Sequence, residues 1–360
     1  MTVVAEVYPG SIVLSRFRKG ARVGETKTLS ADAGMSGVTP DVRDELSEFI
    51  VACKAEAIVL YSPWGSLKNR RFLQVDGAAV KKLRGLTEIF PFYMPFFMSV
   101  LKSFSEIAPD VPQYVYLGNS FFNTLYRRTI RYAVAEPFLP SVRSRCQGRH
   151  GLFHEYHAHC MKSSRKLISI VFDTQTTVCG MYKGVPRTIS TGGTPLEGVM
   201  GRSSCGDVDP GIPFYLMRQG YSLYAVDELL KKKSGFKGLC GYEGTQEEIF
   251  RMYGIDRDVT LAVDVYLTHV LKYIGEAMAV IGGMDGLVFG GPQLPGFTPL
   301  IHMIGSRLSF LGVRSKPGIS HLIQGCSRIS TPESEVLTVE VDEPVGSMIG
   351  FFFESINGVH

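Results

Sequence analysis

Three features that would place the chain outside the ordinary globular class are missing from its sequence. No apolar run is long enough to cross a bilayer, since the longest, IFPFYMPFFMSVL, has about 13 residues and is interrupted by Pro91 and Pro95. The first residues, MTVVAEVYPGSIVL, lack the basic segment of a signal peptide. The seven cysteines form no CxxC pair and are odd in number, which is typical of reduced thiols. We therefore expect a cytoplasmic protein without membrane association.

The sequence also lacks a large excess of basic or acidic residues. The formal net charge is +4 in 360 residues, and the densest basic run is Lys231-Lys232-Lys233. No basic face is interleaved with aromatic residues, so a nucleic-acid partner is not expected. With 45% hydrophobic residues, the chain is long enough to form two domains that each bury a core.

What the sequence does contain is a pattern that occurs twice. The strands TVVAEVY and IVLSRF are joined by a turn at Pro9-Gly10, and KLISIVFD, TTVCGMYKG and VPRTIST repeat the arrangement about half a chain later. Helical periodicity follows in both halves, in DVRDELSEFIVACKAE and in residues 261–281, which stop at Gly282-Gly283. Alternating strands and helices predict an α/β fold, and the repeat predicts an internal duplication.

The segment GGTPLEGVMGRSSCGDVDPG, residues 192–211, combines many glycines and prolines with acidic residues. Asx and Gly-Pro turns reverse a chain tightly, so we interpret its frame as structural. The frame residues are Thr194, Pro195, Glu197, Gly198, Gly206, Asp207, Asp209 and Gly211.

Four stretches together resemble one family, the acetate and propionate kinases or acetokinases, of the actin, sugar kinase and Hsp70 fold superfamily. They are TPLEGVMGRSSCGDVDPGIPFYLM, LLKKKSGFKGLCG, DVYLTHVLKYIGEAMAVIGGMDGLVF and ISTPESEV. The resemblance covers most of residues 150–345 in unbroken register and is weaker over residues 1–149.

This resemblance implies a duplicated βββαβα fold with two lobes, 1–119 with 345–360 and 120–344, and a cleft between them. It implies transfer of the ATP γ-phosphoryl group to a short carboxylate such as acetate or propionate, with Mg²⁺. It also implies a homodimer formed through the second lobe, although a subunit of a larger protein complex is equally allowed.

The chemical positions of the family hold different residues in this chain. Tyr61 and Ser204 stand where the resemblance places the two arginines, and Gly118 stands at the catalytic aspartate. The histidine positions of two further motifs hold Phe122 and Val171. Arg202, two residues before Ser204, is the candidate substitute for the phosphoryl-contacting arginine. No catalytic position is therefore intact.

The nucleotide-contacting loops are changed in the same way. The first hairpin reads YPGSIV, which keeps Gly10 and Ser11 but has bulky hydrocarbon side chains where the resemblance places polar donors. The loop that begins at Val171 places the carboxylate of Asp173 where a phosphate would approach, and the two negative charges would repel each other. Gly290-Gly291 is followed by Pro292, which has no N–H to donate. The cofactor-binding positions that remain by resemblance are Gly10, Ser11, Gly206, Asp207, Gly290 and Gly291.

Other nucleotide and metal positions follow the same pattern. Thr245 and Glu247 occupy a nucleotide-contacting Asp-x-Arg, which replaces a cation with an anion. Glu343 aligns with the magnesium ligand, but Pro344 follows it where a second glutamate is usual.

Two functions remain open from the sequence. The first is a catalytically degenerate acetokinase with a binding, scaffolding or regulatory role, because losing one transition-state charge alone costs about 10² to 10³ in rate. The alternative is an active carboxylate kinase with a rearranged site. Its replacement cations would be Arg202, Arg70, Arg71, Arg127 and Arg128.

Two further clusters have both a functional and a structural interpretation. In RHGLFHEYHAHC, helical spacing would bring His154, His157 and Cys160 to one face as a zinc set; the alternative is unconstrained drift from a family motif. The run from Phe90 to Val100 could form an apolar binding groove, but such runs are more often core.

Overall fold

The structure is a computed structural model. It describes residues 1–31, 37–66, 71–88, 90, 93–135, 146–194, 196–242, 244–315, 321–323 and 326–357. Arg70 and Pro195 lie outside the described residues.

By its internal contacts the chain divides into two compact units. Unit 1 comprises Met1–Asn123, Arg149–Leu152 and Glu343–His360, and unit 2 comprises Thr124–Gly148 and Phe153–Asp342. The lobe limits implied by the resemblance, 1–119 with 345–360 and 120–344, stay a prediction beside these contact-based units.

Unit 1 contains a mixed seven-stranded sheet of order β3-β2-β1-β5-β7-β6, in which β4 also pairs with β2. Strand β1 is antiparallel to β2 and parallel to β5, and β5 is parallel to β7. The strands are β1 Thr2–Tyr8, β2 Ser11–Arg18, β3 Ala21–Arg22, β4 Lys27–Ser30, β5 Ala57–Ser62, β6 Phe72–Gln74 and β7 Gln113–Leu117. The helices are α1 Pro40–Cys53, α2 Gly77–Gly85, α3 Met94–Ile107 and, from the end of the chain, α12 Val345–Asn357.

Unit 2 contains a second seven-stranded sheet, of order β10-β9-β8-β11-β14-β13-β12. The strands are β8 Lys166–Val171, β9 Thr177–Tyr182, β10 Val185–Ile189, β11 Gly286–Gly290, β12 His321–Ile323, β13 Cys326–Arg328 and β14 Leu337–Val341. The helices are α4 Arg127–Ile130, α5 Gly151–Cys160, α6 Gly211–Arg218, α7 Leu223–Lys232, α8 Gly235–Cys240, α9 Gln246–Arg251, α10 Arg257–Ile281 and α11 Thr298–Arg307.

The two sheets repeat one topology. In unit 1, β1 is antiparallel to β2 and parallel to β5, β5 is parallel to β7, and β6 is antiparallel to β7. In unit 2, β8, β9, β11, β14 and β13 take the places of β1, β2, β5, β7 and β6 with the same directions. The predicted α/β class and internal duplication are therefore confirmed.

Local signals set the helix ends. Helix α1 starts behind Thr39, whose side chain accepts from the Val42 N–H, and ends at Lys54 in the left-handed conformation. Helix α10 begins at Arg257, earlier than the predicted 261, because the Asp256 side chain caps its first turn. It stops at Gly282 as predicted.

Each unit buries its own apolar core. The run Phe90–Val100 belongs to that of unit 1, because Phe97 and Val100 of α3 are fully buried beside β1 and β5, so its core interpretation is correct for the described part of the run. The core of unit 2 is centred on α10 against β8 and β11. Among the described residues, no helix has the length and hydropathy of a bilayer span. All seven cysteines are free thiols, as predicted.

Candidate functional site

The carboxyl ends of parallel strands are where α/β sheets bind ligands, so each unit offers one candidate edge. In unit 1, the strand register brings Tyr8, Tyr61 and Gly118 to the same edge, at the ends of β1, β5 and β7. In unit 2, Val171, Gly290 and Val341 form one row across β8, β11 and β14. Four of the positions that the sequence singled out, Tyr61, Gly118, Val171 and Gly290, thus lie on these two edges.

The edge of unit 1 is aromatic and contains a buried acid. The rings of Tyr8 and Tyr61 meet edge to face with centroids 6.4 Å apart, and Tyr61 is in turn 6.0 Å from Tyr116. The Tyr8 hydroxyl donates to the Glu6 carboxylate at 3.0 Å. Burial raises the pKa of Glu6 to about 7, partly offset by hydrogen bonds from Tyr8 and from the Gly346 N–H at the start of α12. This edge presents rings and a carboxyl group rather than cations.

Gly118 has no room for a side chain. A Cβ at this position would lie 2.8 Å from the Pro63 carbonyl oxygen, and a Cβ at Gly151 would lie 2.2 Å from the Gly118 carbonyl oxygen. The Gly118 N–H also donates to the Ser62 carbonyl at 2.7 Å. The backbone around this position is therefore packed for glycine, and an aspartate would not fit without movement of the main chain.

Three stacked phenylalanine rings lie next to the carboxyl edge of unit 2. Phe172 directly follows β8, is fully buried, and stacks on Phe297 with centroids 4.4 Å apart and on Phe289 at 6.0 Å. Its backbone lies directly under the turn that begins at Gly291, where a Cβ would lie 2.4 Å from the Phe172 carbonyl oxygen.

The backbone donors of this turn are used within the protein. The Gln293 N–H donates to the Phe172 carbonyl at 3.2 Å, and the Leu294 N–H donates to Gly291 at 3.1 Å. Pro292 has no N–H, and the Phe172 N–H donates back to Gly290 at 2.8 Å. None of the peptide donors of residues 292–294 is left for a phosphate group.

The acidic side chains of the segment 192–211 accept hydrogen bonds from tyrosine hydroxyls and from backbone N–H groups of the same segment. Asp207 accepts from the Gly198 N–H at 2.8 Å and from the Tyr273 hydroxyl at 2.5 Å. Glu197 accepts a hydrogen bond from the Tyr132 hydroxyl, which also accepts from the Gly193 N–H at 2.6 Å. Burial, followed by the hydrogen bond to the carboxylate, raises the pKa of both tyrosines.

The turn that carries Ser204 and Arg202 packs on helix α8. The Lys237 N–H donates to the Arg202 carbonyl at 2.9 Å, and the Gly201 N–H donates to the Ser204 carbonyl at 3.0 Å. The Arg202 side chain is exposed and lies near Glu248, whose pKa is lowered chiefly by the Thr245 N–H and in smaller part by Arg202. Thr245 itself caps α9, and Glu247 pairs with Arg251 at 2.5 Å.

Glu343 lies in the short link between β14 and α12 and is partly exposed. The part of the chain that the structure describes contains no group of three or more His, Cys, Asp or Glu side chains arranged to hold a metal ion. The assignment of Glu343 as a magnesium ligand therefore stays a prediction.

The zinc set proposed for His154, His157 and Cys160 is wrong. Helix α5 does carry all three residues, but both ring nitrogens of His154 are engaged by hydroxyl groups, Ser169 Oγ at 2.6 Å and Thr177 Oγ1 at 2.9 Å. Nδ1 of His157 lies 2.7 Å from the same Ser169 Oγ. Spacing along a helix predicted the shared face but not the hydroxyls of the sheet beneath it.

Two features were missed from the sequence. Glu6 is an acid inside the apolar strand TVVAEVY, and that interruption was a signal that could have drawn attention to it. The Tyr126 ring contacts two guanidinium groups, with Cζ of Arg128 and of Arg187 at 4.2 and 4.6 Å from its centroid. Of the other candidate cations, Arg127 is exposed, and Arg71 lies over the Phe352 ring in unit 1.

Two seven-stranded mixed sheets with one repeated topology, each with its carboxyl edge formed by three parallel strands, define a duplicated α/β protein of the actin-like type. The family model described as the Acetokinase family matches residues 65–349. The chain belongs to the acetokinase family. The match begins at residue 65, so the resemblance extends well into the region where the motifs alone were weak.

Named relatives are acetate kinases. That of Dictyoglomus thermophilum is 30% identical over 273 residues, 73% of this chain and 68% of the relative. That of Streptococcus gordonii is 28% identical over 282 residues, 75% of this chain and 71% of the relative.

Solved structures support the same fold. The acetate kinase of Entamoeba histolytica has a TM-score of 0.85 at 21% identity and 98% coverage of both chains. That of Porphyromonas gingivalis has a TM-score of 0.85 at 22% identity and 99% coverage of both.

Proposed function

We propose that this protein is a catalytically degenerate acetokinase that uses the family fold for binding, scaffolding or regulation rather than for acetate phosphorylation. The observation that carries the proposal is the turn after β11, where the N–H groups of Gln293 and Leu294 donate to the Phe172 and Gly291 carbonyls and Pro292 has no N–H, so residues 292–294 offer no donor to a phosphate. Phosphoryl transfer depends on cations and donors placed around the phosphoryl group, so their loss removes most of the catalytic power.

The other candidate positions support this proposal. Gly118 has no space for a carboxylate, and Tyr8 and Tyr61 supply rings beside the buried acid Glu6. The acids Glu197 and Asp207 bind tyrosine hydroxyls. Each position is thus satisfied by a partner within its own unit.

An acyl-phosphate assay tests this function. We expect no turnover of acetate, propionate or butyrate with Mg-ATP, while the Dictyoglomus thermophilum acetate kinase serves as the positive control. A rate above about 1 s⁻¹, which is within the usual range of kinases, would show that the protein is an active carboxylate kinase.

The arginine pair around Tyr126 favours a second candidate, a carboxylate kinase with a rearranged site. Arg128 and Arg187 give unit 2 a fixed pair of guanidinium groups, and Arg127 is exposed next to them. Mg-ATP at 100 times its dissociation constant would stabilise the protein by about 2.7 kcal/mol. A thermal shift that is abolished in Arg128→Ala and Arg187→Ala, but kept in the exposed control Arg257→Ala, would favour this candidate; no shift at millimolar Mg-ATP would exclude it.

We also propose that the protein is a cytoplasmic homodimer. Seven free thiols suit a reducing compartment. Helices α6 and α7 expose Phe214, Tyr215, Leu223 and Tyr224, each between 58% and 74%, which suits a buried interface. Light scattering after size exclusion should give twice the chain mass, and Leu223→Lys with Tyr224→Lys should give the monomer; a monomeric wild-type protein would contradict the proposal.

A further inference from the structure

Unit 1 contains a large cavity far from its carboxyl edge. The cavity has a volume of about 960 Å³ and is lined at one end by Thr2, where β1 begins, and by Arg18, where β2 ends. It therefore lies at the amino edge of the sheet, whereas Tyr8 and Gly118 mark the opposite edge. Its size is at the upper end of the range for small-molecule sites.

Most of the charged side chains in the lining are basic. Four basic side chains contribute to it, against the acids Glu56 and Glu354, and Glu56 already accepts from the Met1 amine at 2.7 Å. The four are Arg16, Arg18, Lys19 and Lys54. Within the described residues none of these four forms an ion pair with an acidic side chain, unlike Lys27 and Arg43 of the same unit. Four such cations in one cavity favour a multiply charged anion.

Two residues of the lining each have a buried polar atom without a hydrogen-bond partner among the described residues, while the rest of the Arg16 guanidinium contacts Cys53 and the Glu354 carboxylate accepts from the Gly20 N–H. The two atoms are Nε of Arg16, whose guanidinium lies over the Phe49 ring of α1, and Oε2 of Glu354 on α12. A buried group without a partner is costly, so both are poised to gain one from an occupant. Arg16 can turn its guanidinium toward an anion, and Glu354 can accept from a hydroxyl group.

Both lysines of the lining, Lys19 and Lys54, have an unusual backbone conformation. Lys19 and Lys54 have φ values of 49° and 48°, in the left-handed region that glycine and asparagine adopt more readily. Lys54 is the residue that ends α1, a position at which glycine is common. Glycine or asparagine would suit the backbone at both positions better, so the two lysines add positive charge to the cavity at a cost in backbone conformation.

We propose that this cavity binds a small organic phosphate, with the phosphate group held by Arg16, Lys19 and Lys54 and a hydroxyl group of the ligand held by Glu354. The two arginines and two lysines outnumber the two acids of the lining, so the cavity attracts an anion such as a phosphate dianion. The proposal does not depend on the function of the carboxyl edges, because the cavity is formed by other residues.

Isothermal titration calorimetry on the full chain, at fixed ionic strength, tests the proposal with glycerol 3-phosphate, inorganic phosphate and glycerol. We expect glycerol 3-phosphate to bind one to one and more tightly than inorganic phosphate, and glycerol not to bind. Lys19→Asn and Lys54→Asn should each weaken binding by about fivefold, because each removes one charge that attracts the anion. Thermal unfolding should be unchanged or occur at a higher temperature, since asparagine suits the left-handed conformation.

The second hairpin supplies a matched control. Lys183 has φ 52° and precedes Gly184, just as Lys19 precedes Gly20, but it belongs to unit 2 and does not line the cavity. Lys183→Asn should leave binding unchanged. The proposal would be overturned by absence of binding of either phosphate compound up to about 10 mM, by equal affinity for the two, or by equal weakening in Lys183→Asn and Lys19→Asn.

Discussion

The two units share a strand order. They differ in the polar group that β1 in unit 1 and β8 in unit 2 bury on the face of the sheet opposite the main core. In unit 1 that group is the carboxyl of Glu6, which receives hydrogen bonds from Tyr8 and Gly346. In unit 2 it is the hydroxyl of Ser169, which lies between Nδ1 of His154 and Nδ1 of His157. The same strand position therefore holds an acid in one unit and, in the other, a hydroxyl that binds two imidazoles of α5.

The difference teaches that a duplicated fold fixes where a buried polar group lies but not which chemical group it is. Burial raises the pKa of Glu6 to about 7 and lowers the pKa of His157 to about 3, so both groups tend to be neutral inside the protein. Neither buried group supplies a fixed positive charge near the strands that lead to the two carboxyl edges. The two groups should also give the units opposite responses to pH.

The largest effect is expected from His157. Its folded pKa of about 3 lies below the value of 6.5 for a free histidine, so the unfolded chain binds the extra proton as the pH falls from 6.5 towards 3. The stability of unit 2 should therefore be complete above pH 6.5 and fall by about 4 kcal/mol by about pH 3.5.

His157→Asn should remove most of this acid sensitivity, because asparagine keeps a polar contact to Ser169 but does not titrate. It should also delete Nε2, which is buried and has no hydrogen-bond partner among the described residues, although the smaller side chain costs about 1 kcal/mol at neutral pH. The change is measured as the free energy of unfolding of unit 2 in urea at a series of pH values, with hydrogen exchange of the β8 amides as the probe. His302→Asn, on α11, is the control, and an unchanged acid response in His157→Asn would refute the assignment.

The next effect is expected at the carboxyl edge of unit 1. Gly118→Asp should lower the free energy of unfolding by about 3 kcal/mol, because its Cβ meets the Pro63 carbonyl at 2.8 Å and neither main-chain segment can easily move. The fluorescence of Trp64, the single tryptophan, reports unfolding of this unit in urea. A stable variant with acetate kinase activity would show instead that the edge still accommodates the family's carboxylate.

Gly77→Asp provides the comparison for this substitution. Gly77 is the first residue of α2, and a Cβ added there would meet no described atom within 4 Å. A carboxylate there also suits the N-terminal end of the helix. The stability of this variant should therefore stay close to that of the wild type.

Much of the fold could be predicted from the sequence, because alternation and turn residues act locally. Strand β1 was predicted at its observed limits, and the turn at Gly282 ends α10 as expected. The site could be predicted less well. The fit of Gly118 depends on Pro63 and Gly151, and the burial of Glu6 depends on α12 at the other end of the chain, so neither is visible in a local pattern.

The third effect, similar in size to that of Gly118→Asp, is expected from Glu6. Its folded pKa of about 7 is higher than the ordinary glutamate value of 4.5, so the folded state holds the proton that the unfolded chain has lost. This contribution is complete below pH 4.5 and is lost as the pH rises through 7, a change of about 3 kcal/mol. Glu6→Gln should abolish it and stabilise unit 1 at pH 8, again measured by Trp64 fluorescence in urea. The exposed Glu25→Gln should behave as the wild type; if Glu6→Gln does so as well, Glu6 is ionised in the folded protein, and the contrast between the two units would be lost.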